Sequence, residues 1–269
     1  MSATTVDPWA PADAASGRPL ARLNPLAKLV APLPAMVLLV FARDLATPLA
    51  FLALAYVVVL AGARLSARIA LLLFVALPAV AVVIGLSMSL WTDPARVGGT
   101  TVVQLGGWTL STGALTVGFA TGLRLAAIVA LALIAGLTTT GPDLVRASVQ
   151  QLRVPYRIGY TALAAFRFVP RFGHELDVIR QAHRVRGAHG GRGPFAAAAR
   201  WWGYLVPLLA GAIRHAERVA LAMDARAFGA HPDRTERYLV PWRVRDTAFV
   251  LAFWAASAGI LISFFPWTP

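Results

Sequence analysis

The chain has 269 residues, of which 58% are hydrophobic and only 14% charged, and its net charge is +13. A soluble domain carries about 25% charged residues, so this composition excludes a particle covered by water on all sides and makes lipid the solvent for much of the surface. No cysteine is present, which excludes disulfides, thiolate metal sites and a cysteine nucleophile.

Residues 1–25 are polar and rich in proline and alanine, with no apolar core ahead of a small-residue cleavage site. They read as a flexible tail rather than a secretory signal. Five apolar stretches follow: Leu26–Ala42, Pro48–Gly62, Ile69–Trp91, Gly113–Leu137 and Thr247–Phe265. A membrane span takes about 20 apolar residues. The last three stretches meet this length. The first two are short, separated by Arg43–Thr47, and read as a tight helical hairpin. Pro32, Pro34 and Pro78 fall inside these stretches, where membrane helices tolerate proline better than soluble ones do. On the fourth stretch Gly113, Gly118, Gly122 and Ala126 form a small-residue face, suited either to internal packing or to sliding against another membrane subunit. Arg124 lies in the same stretch, where an arginine is either a functional group or faces other helices that supply it with carbonyls or an acid.

The basic residues are unevenly placed. All but Lys28 are arginines, and 22 of the 25 fall on the tail through Lys28, the 63–68 loop and the long segment 138–246. Alternating spans put these three segments on one side, which the positive-inside rule makes cytoplasmic. The end after Phe265 is then expected outside, with Trp91, Trp108, Trp254 and Trp267 as interfacial anchors. The outer loop 92–112, with Gly98-Gly99 and Gly106-Gly107 around Thr100–Leu105, reads as a short strand or extended turn.

Segment 138–246 is expected to be helical, not a disordered basic arm, so no nucleic-acid partner is expected. Gly141-Pro142-Asp143 starts a short helix, and Val154-Pro155 breaks it. A long run from about Arg157 to Arg186 follows, with a kink expected at Pro170. Gly187–Pro194 is a helix-breaking linker. A second long run goes from about Phe195 to Phe228. Trp201, Leu205, Leu208, Ala212, Val219 and Met223 recur along it at helical spacing, and Arg180 and Arg184 form a basic i,i+4 pair on the first.

The two runs end alike. One closes Val185-Arg186-Gly187-Ala188-His189 and the other Ala225-Arg226-Ala227-Phe228-Gly229-Ala230-His231. Each puts an arginine near the helix end and a glycine at the expected C′ position, Gly187 in one and Gly229 in the other. An arginine there offsets the helix dipole by about 0.3–1 kcal/mol, and glycine ends helices through the left-handed region. The same arrangement also suits docking, because an exposed guanidinium can form a bidentate pair with a carboxylate on a partner. Two such ends suit a two-subunit partner.

At these residues the chain resembles the transmembrane T component of energy-coupling factor transporters, the EcfT/CbiQ/BioN group. The resemblance runs over about residues 20–265. It rests on Ala225-Arg226-Ala227 within Leu221–Gly229, on Val185-Arg186-Gly187, which has valine where alanine is usual, and on the helix entry Leu23-Asn24-Pro25-Leu26-Ala27-Lys28-Leu29. It implies an all-α, multi-pass protein of a prokaryotic inner membrane, with about five spans and a cytoplasmic pair of long amphipathic coupling helices. The expected parts are a tail (1–25), four spans (26–137), a coupling region (138–246) and a last span with a short external end (247–269).

The resemblance further implies a scaffold role. Two ABC ATPase subunits would dock on the Arg186 and Arg226 motifs, supported by Arg180, Arg184, Met223, Phe228 and Gly229. A small membrane S component would bind the vitamin or metal ion. ATP and Mg would then be bound by the ATPases and no cofactor by this chain, in line with the absence of a Gly-Lys-Ser/Thr phosphate loop. No metal-ligand spacing is found among the five histidines, and His174, Glu175 and Asp177 fit dipole compensation better than catalysis. The alternatives, a membrane-embedded enzyme or a basic anchor for acidic partners, would require converging catalytic groups or a flexible basic tail.

Overall fold

The structure is a computed structural model describing residues 20–63, 65–93, 97–105, 108–187, 193–232 and 235–265. Most of the N-terminal tail, the middle of the Gly187–Pro194 linker and the end after Phe265 lie outside these residues. The fold is all-α apart from one small hairpin. The chain forms two compact units, residues 1–147 with 240–269, and residues 148–239.

The first unit begins with a 3₁₀ turn, Leu20–Arg22, followed by α1 (Pro25–Val30), α2 (Leu33–Leu39) and α3 (Ala46–Gly62). Next come α4 (Ala67–Leu71), a π-helical turn (Leu72–Ala76) and α5 (Leu77–Trp91), which run on as one helix. The antiparallel pair β1 (Thr101–Leu105) and β2 (Trp108–Ser111) leads into α6 (Thr112–Thr138), and α10 (Val244–Ser263) closes the unit. Among the described residues, Ala67–Trp91, Thr112–Thr138 and Val244–Ser263 are long and apolar enough to cross a membrane, while Pro25–Leu39 and Ala46–Gly62 are shorter apolar segments.

Helix α6 is the hub, packed against α1, α2, α3 and α5. Its small-residue face is the seat of α5. A Cβ on Gly118 would lie 2.1 Å from Ser89 Oγ and 2.4 Å from the Gly85 carbonyl oxygen, and one on Gly122 would lie 2.2 Å from the Ala81 carbonyl oxygen. The stripe therefore serves internal packing. Farther along, Ala127, Ala130, Leu131 and Ile134 of α6 join Ala27, Ala35, Phe51, Ala55 and Phe253 in an alanine-rich core. Arg124 is half-buried on α6 within electrostatic reach of Asp44 and Arg43, and its Nε has no hydrogen-bond partner among the described residues.

The stretch Leu26–Ala42, expected as one helix, is two. Pro32 and Pro34 have no N–H to give to the carbonyls one turn back, and the helix breaks at Ala31-Pro32. Trp254, expected at a span end, instead sits within α10 and donates its indole N–H to the Ala31 carbonyl at 3.2 Å. Pro78 has a parallel effect. The Leu77 N–H reaches back five residues to the Leu72 carbonyl, so the Leu73 carbonyl would next look to Pro78, which has no proton. Tyr56 Oη fills the gap, donating to that carbonyl at 2.7 Å.

The segment Asn24–Lys28 ties three helices together. Asn24 caps α1, its Oδ1 accepting from the Leu26 N–H at 3.0 Å. Its own N–H donates to Asp246 Oδ1 at 2.7 Å, and the other Asp246 oxygen accepts from the Arg243 N–H at 2.7 Å at the start of α10. Lys28, only 1% exposed, donates from Nζ to the Thr138 carbonyl at 2.7 Å. Thr138 is the last residue of α6, so the ammonium satisfies a carbonyl that a helix end leaves without a donor and opposes the helix dipole.

The second unit holds α8 (Tyr156–Val185) and α9 (Pro194–Asp224); α7 (Gly141–Gln151) contains the boundary between units. Pro170 lies within α8 and does not end it, nor does Pro207 end α9. The two helices run antiparallel. Phe168 stacks on His215 with centroids 4.4 Å apart, His183 meets Tyr204 edge-on at 5.3 Å, and Arg180 lies 5.5 Å over Trp201.

Two outcomes are expected in detergent unfolding experiments. Lys28→Met lowers stability by about 2 kcal/mol, because it strips the buried Thr138 carbonyl of its donor. Tyr56→Phe costs about 1–2 kcal/mol in the Pro78 background and close to nothing in Pro78→Ala, where residue 78 supplies its own N–H; equal losses in both backgrounds would separate the hydroxyl from the proline break.

Candidate functional site

The two arginine-bearing helix ends are built from the same kind of turn. Helix α8 stops at Val185, Arg186 is the C-cap, and Gly187 takes a φ of +69°. The Gly187 N–H returns to the Arg184 carbonyl at 3.1 Å. Helix α9 stops at Asp224, and Ala227 takes a φ of +53°. There the Ala227 N–H returns to the Asp224 carbonyl at 2.9 Å and the Phe228 N–H to the Met223 carbonyl at 3.0 Å. This pair of bonds is a Schellman turn with its left-handed residue at Ala227. The expected equivalence of Gly187 with Gly229 is thus corrected: the left-handed C′ residue of the second end is an alanine, two residues earlier. In this register Val185-Arg186-Gly187 and Ala225-Arg226-Ala227 occupy matching positions, with the arginine directly before the left-handed residue in both.

Arg186 and Arg226 are exposed. Among the described residues neither side chain has a hydrogen-bond or ion-pair partner. Other arginines are engaged: Arg146 pairs with Asp143 at 2.8 Å, Arg180 with Asp177 at 3.3 Å, and Arg157 Nη2 donates to the Gly229 carbonyl at 2.6 Å. Val185 is 89% exposed, and Arg184 is exposed in the last turn of α8. Met223 and Phe228 are half-buried behind the second end.

The two ends lie at opposite ends of the helix pair. Phe228 packs edge-on against Tyr156 and Tyr160, with centroids at 5.8 and 6.5 Å, so the second end sits beside the start of α8. From there to Arg186 the length of α8 is about 40 Å at 1.5 Å per residue.

The surroundings of the second end were not expected from sequence. Tyr156 Oη donates to the His231 carbonyl and Tyr160 Oη to Glu236 Oε2, each at 2.6 Å, which staples the segment after the turn onto α8. The signal was present: Tyr156-Arg157 and Tyr160 stand one turn apart directly after Val154-Pro155. A groove of about 410 Å³ opens there, lined by Tyr156, Tyr160, Arg167, Met223, Arg226 and His231 among others. Its two guanidiniums suit an acidic side chain. Among the described residues no three of His, Asp and Glu converge on a metal-sized site, and His183 and His215 are used in ring packing.

A polytopic helical membrane protein with a separate two-helix unit carrying matched arginine ends is the class these features define. A family model described as cobalt transport protein, CbiQ, matches residues 16–237, and the chain belongs to that family. It is also similar to proteins named energy-coupling factor transporter transmembrane protein EcfT. The one from Staphylococcus aureus is 32% identical over 158 residues, 56% of this chain and 59% of that protein. The one from Thermotoga maritima is 37% identical over 111 residues, 41% of this chain and 40% of the relative. The one from Bacillus selenitireducens is 28% identical over 177 residues, 61% and 64% of the two chains. The chain therefore spans less than two thirds of the length of these curated relatives.

Because alanine in the left-handed region is strained by about 1 kcal/mol or more relative to glycine, Ala227→Gly is expected to slow hydrogen exchange of the Phe228 amide severalfold. Unchanged or faster exchange would show that Ala227 is not strained there.

Proposed function

We propose that this chain is the transmembrane coupling subunit of an energy-coupling factor importer, passing ATP-driven motion from two ABC ATPase subunits to a small S component that binds a vitamin or transition-metal ion. The observation that carries the reading is the pair of exposed arginines, without a partner among the described residues and each directly before a left-handed residue, at opposite ends of one helix pair. A cation serving only its own helix dipole has no need of a matching position on a second helix, whereas two docking grooves on a paired partner do. In this reading α8, α9 and the N-terminus lie on the cytoplasmic side, as the clustering of arginines favours. Nucleotide and Mg sit in the ATPases, and the chain itself is a non-catalytic scaffold in the cell membrane.

The test is co-purification of the ATPases with wild type, Arg186→Glu, Arg226→Glu and the double variant, alongside substrate uptake. Losing one charge-assisted pair weakens binding by about 10–100-fold, so each single variant is expected to retain less ATPase. The double variant is expected to retain none, with an unaltered thermal transition of the membrane part. A double variant that assembles and supports uptake normally overturns the docking reading.

A further inference from the structure

We propose that the first unit holds an anionic phospholipid in a groove formed by the 3₁₀ turn, the end of α3 and the start of α10. The groove has a volume of about 540 Å³, and its lining combines Leu23, Val58, Ala61 and Phe249 with Arg22 and Arg245. Helix α3 ends at Gly62 and α10 begins at Val244. The groove therefore lies where apolar helices end, at the depth where a lipid headgroup meets its chains.

The two arginines are placed for a phosphate. The Arg245 guanidinium donates through Nη2 to the Arg22 carbonyl, which fixes the two residues side by side. Its Nε is buried with no hydrogen-bond partner among the described residues, and the Arg22 side chain is exposed. Among the described residues neither has a carboxylate partner. The adjacent acid, Asp246, spends its two oxygens on the backbone N–H groups of Asn24 and Arg243. Two guanidiniums thus face a mainly apolar trough with one committed carboxylate near them. Free phosphate would use the arginines and leave the trough exposed. A zwitterionic lipid would fill the trough but bring its own cation to the arginines. An anionic phospholipid satisfies both.

The experiment is native mass spectrometry of the full-length chain from mixed micelles containing phosphatidylglycerol or phosphatidylcholine, and it does not depend on the coupling role. Each arginine near the surface adds about 1 kcal/mol of attraction for an anionic lipid, or about fivefold. Phosphatidylglycerol is accordingly expected to be retained at least about fivefold better than phosphatidylcholine, and Arg22→Gln to remove about that factor. Ala61→Phe, which fills the trough and leaves both arginines, is expected to abolish retention with an unchanged thermal transition. Equal retention of the two lipids overturns the proposal. So does displacement of phosphatidylglycerol by inorganic phosphate, retention that survives both substitutions, or a full-length chain that holds neither lipid.

Discussion

A backbone carbonyl inside hydrocarbon has no water to turn to, and each one left unsatisfied costs several kcal/mol. Much of the first unit is arranged around that constraint. At three of the places where a proline or a helix end frees a carbonyl, a side chain from a different helix supplies the proton. Trp254 of α10 serves Ala31 at the α1–α2 break. Tyr56 of α3 serves Leu73 beside the π-turn. Lys28 of α1 serves Thr138 at the end of α6. Because donor and acceptor lie on different helices in these three bonds, satisfying the backbone there also fixes how the helices pack. The core that results can be made of alanine and glycine, since hydrophobicity alone does not drive helices together in lipid and close backbone approach does.

The second unit is held together differently. Apart from Gly159 in α8, none of the described residues of its two long helices is buried. Among the described residues the helices meet through individual ring contacts, Phe168 with His215, His183 with Tyr204 and Arg180 over Trp201. Each helix continues through its proline, at the cost of the backbone hydrogen bond that the proline cannot donate. Elements with few buried contacts are drawn from the low-stability end of a structure and are the ones that move.

The broad architecture was legible because it depends on runs of like residues. Long apolar stretches mark α5, α6 and α10, and helical spacing marks α8 and α9 to within a few residues. What escaped was set by single hydrogen bonds between distant residues. Trp254 looks like an interfacial tryptophan until Ala31 is known to lack a donor. The glycine face of α6 suits two roles until Ser89 and Ala81 are seen against it. At the second helix end, glycine is the expected left-handed residue, which points to Gly229, and only the Met223–Phe228 bond moves the turn back to Ala227. The staple from Tyr156 and Tyr160 was hidden because its acceptors, His231 and Glu236, lie about 75 residues on.

That shift of register changes what the two arginine ends have in common. Aligned on their glycines, Arg186 and Arg226 would stand at different distances from the turn, and their similarity would be a matter of composition. Aligned on the left-handed residue, both stand directly before it, and both side chains leave the helix at the same point of the turn. The first turn uses glycine and adopts this geometry freely. The second holds alanine in it, which the backbone resists by about 1–2 kcal/mol. Something must offset that resistance, and the contacts in place to do so are Phe228 against Tyr156 and Tyr160, with Arg157 on the Gly229 carbonyl. The second end is therefore held in shape by the other helix, while the first is shaped by its own glycine.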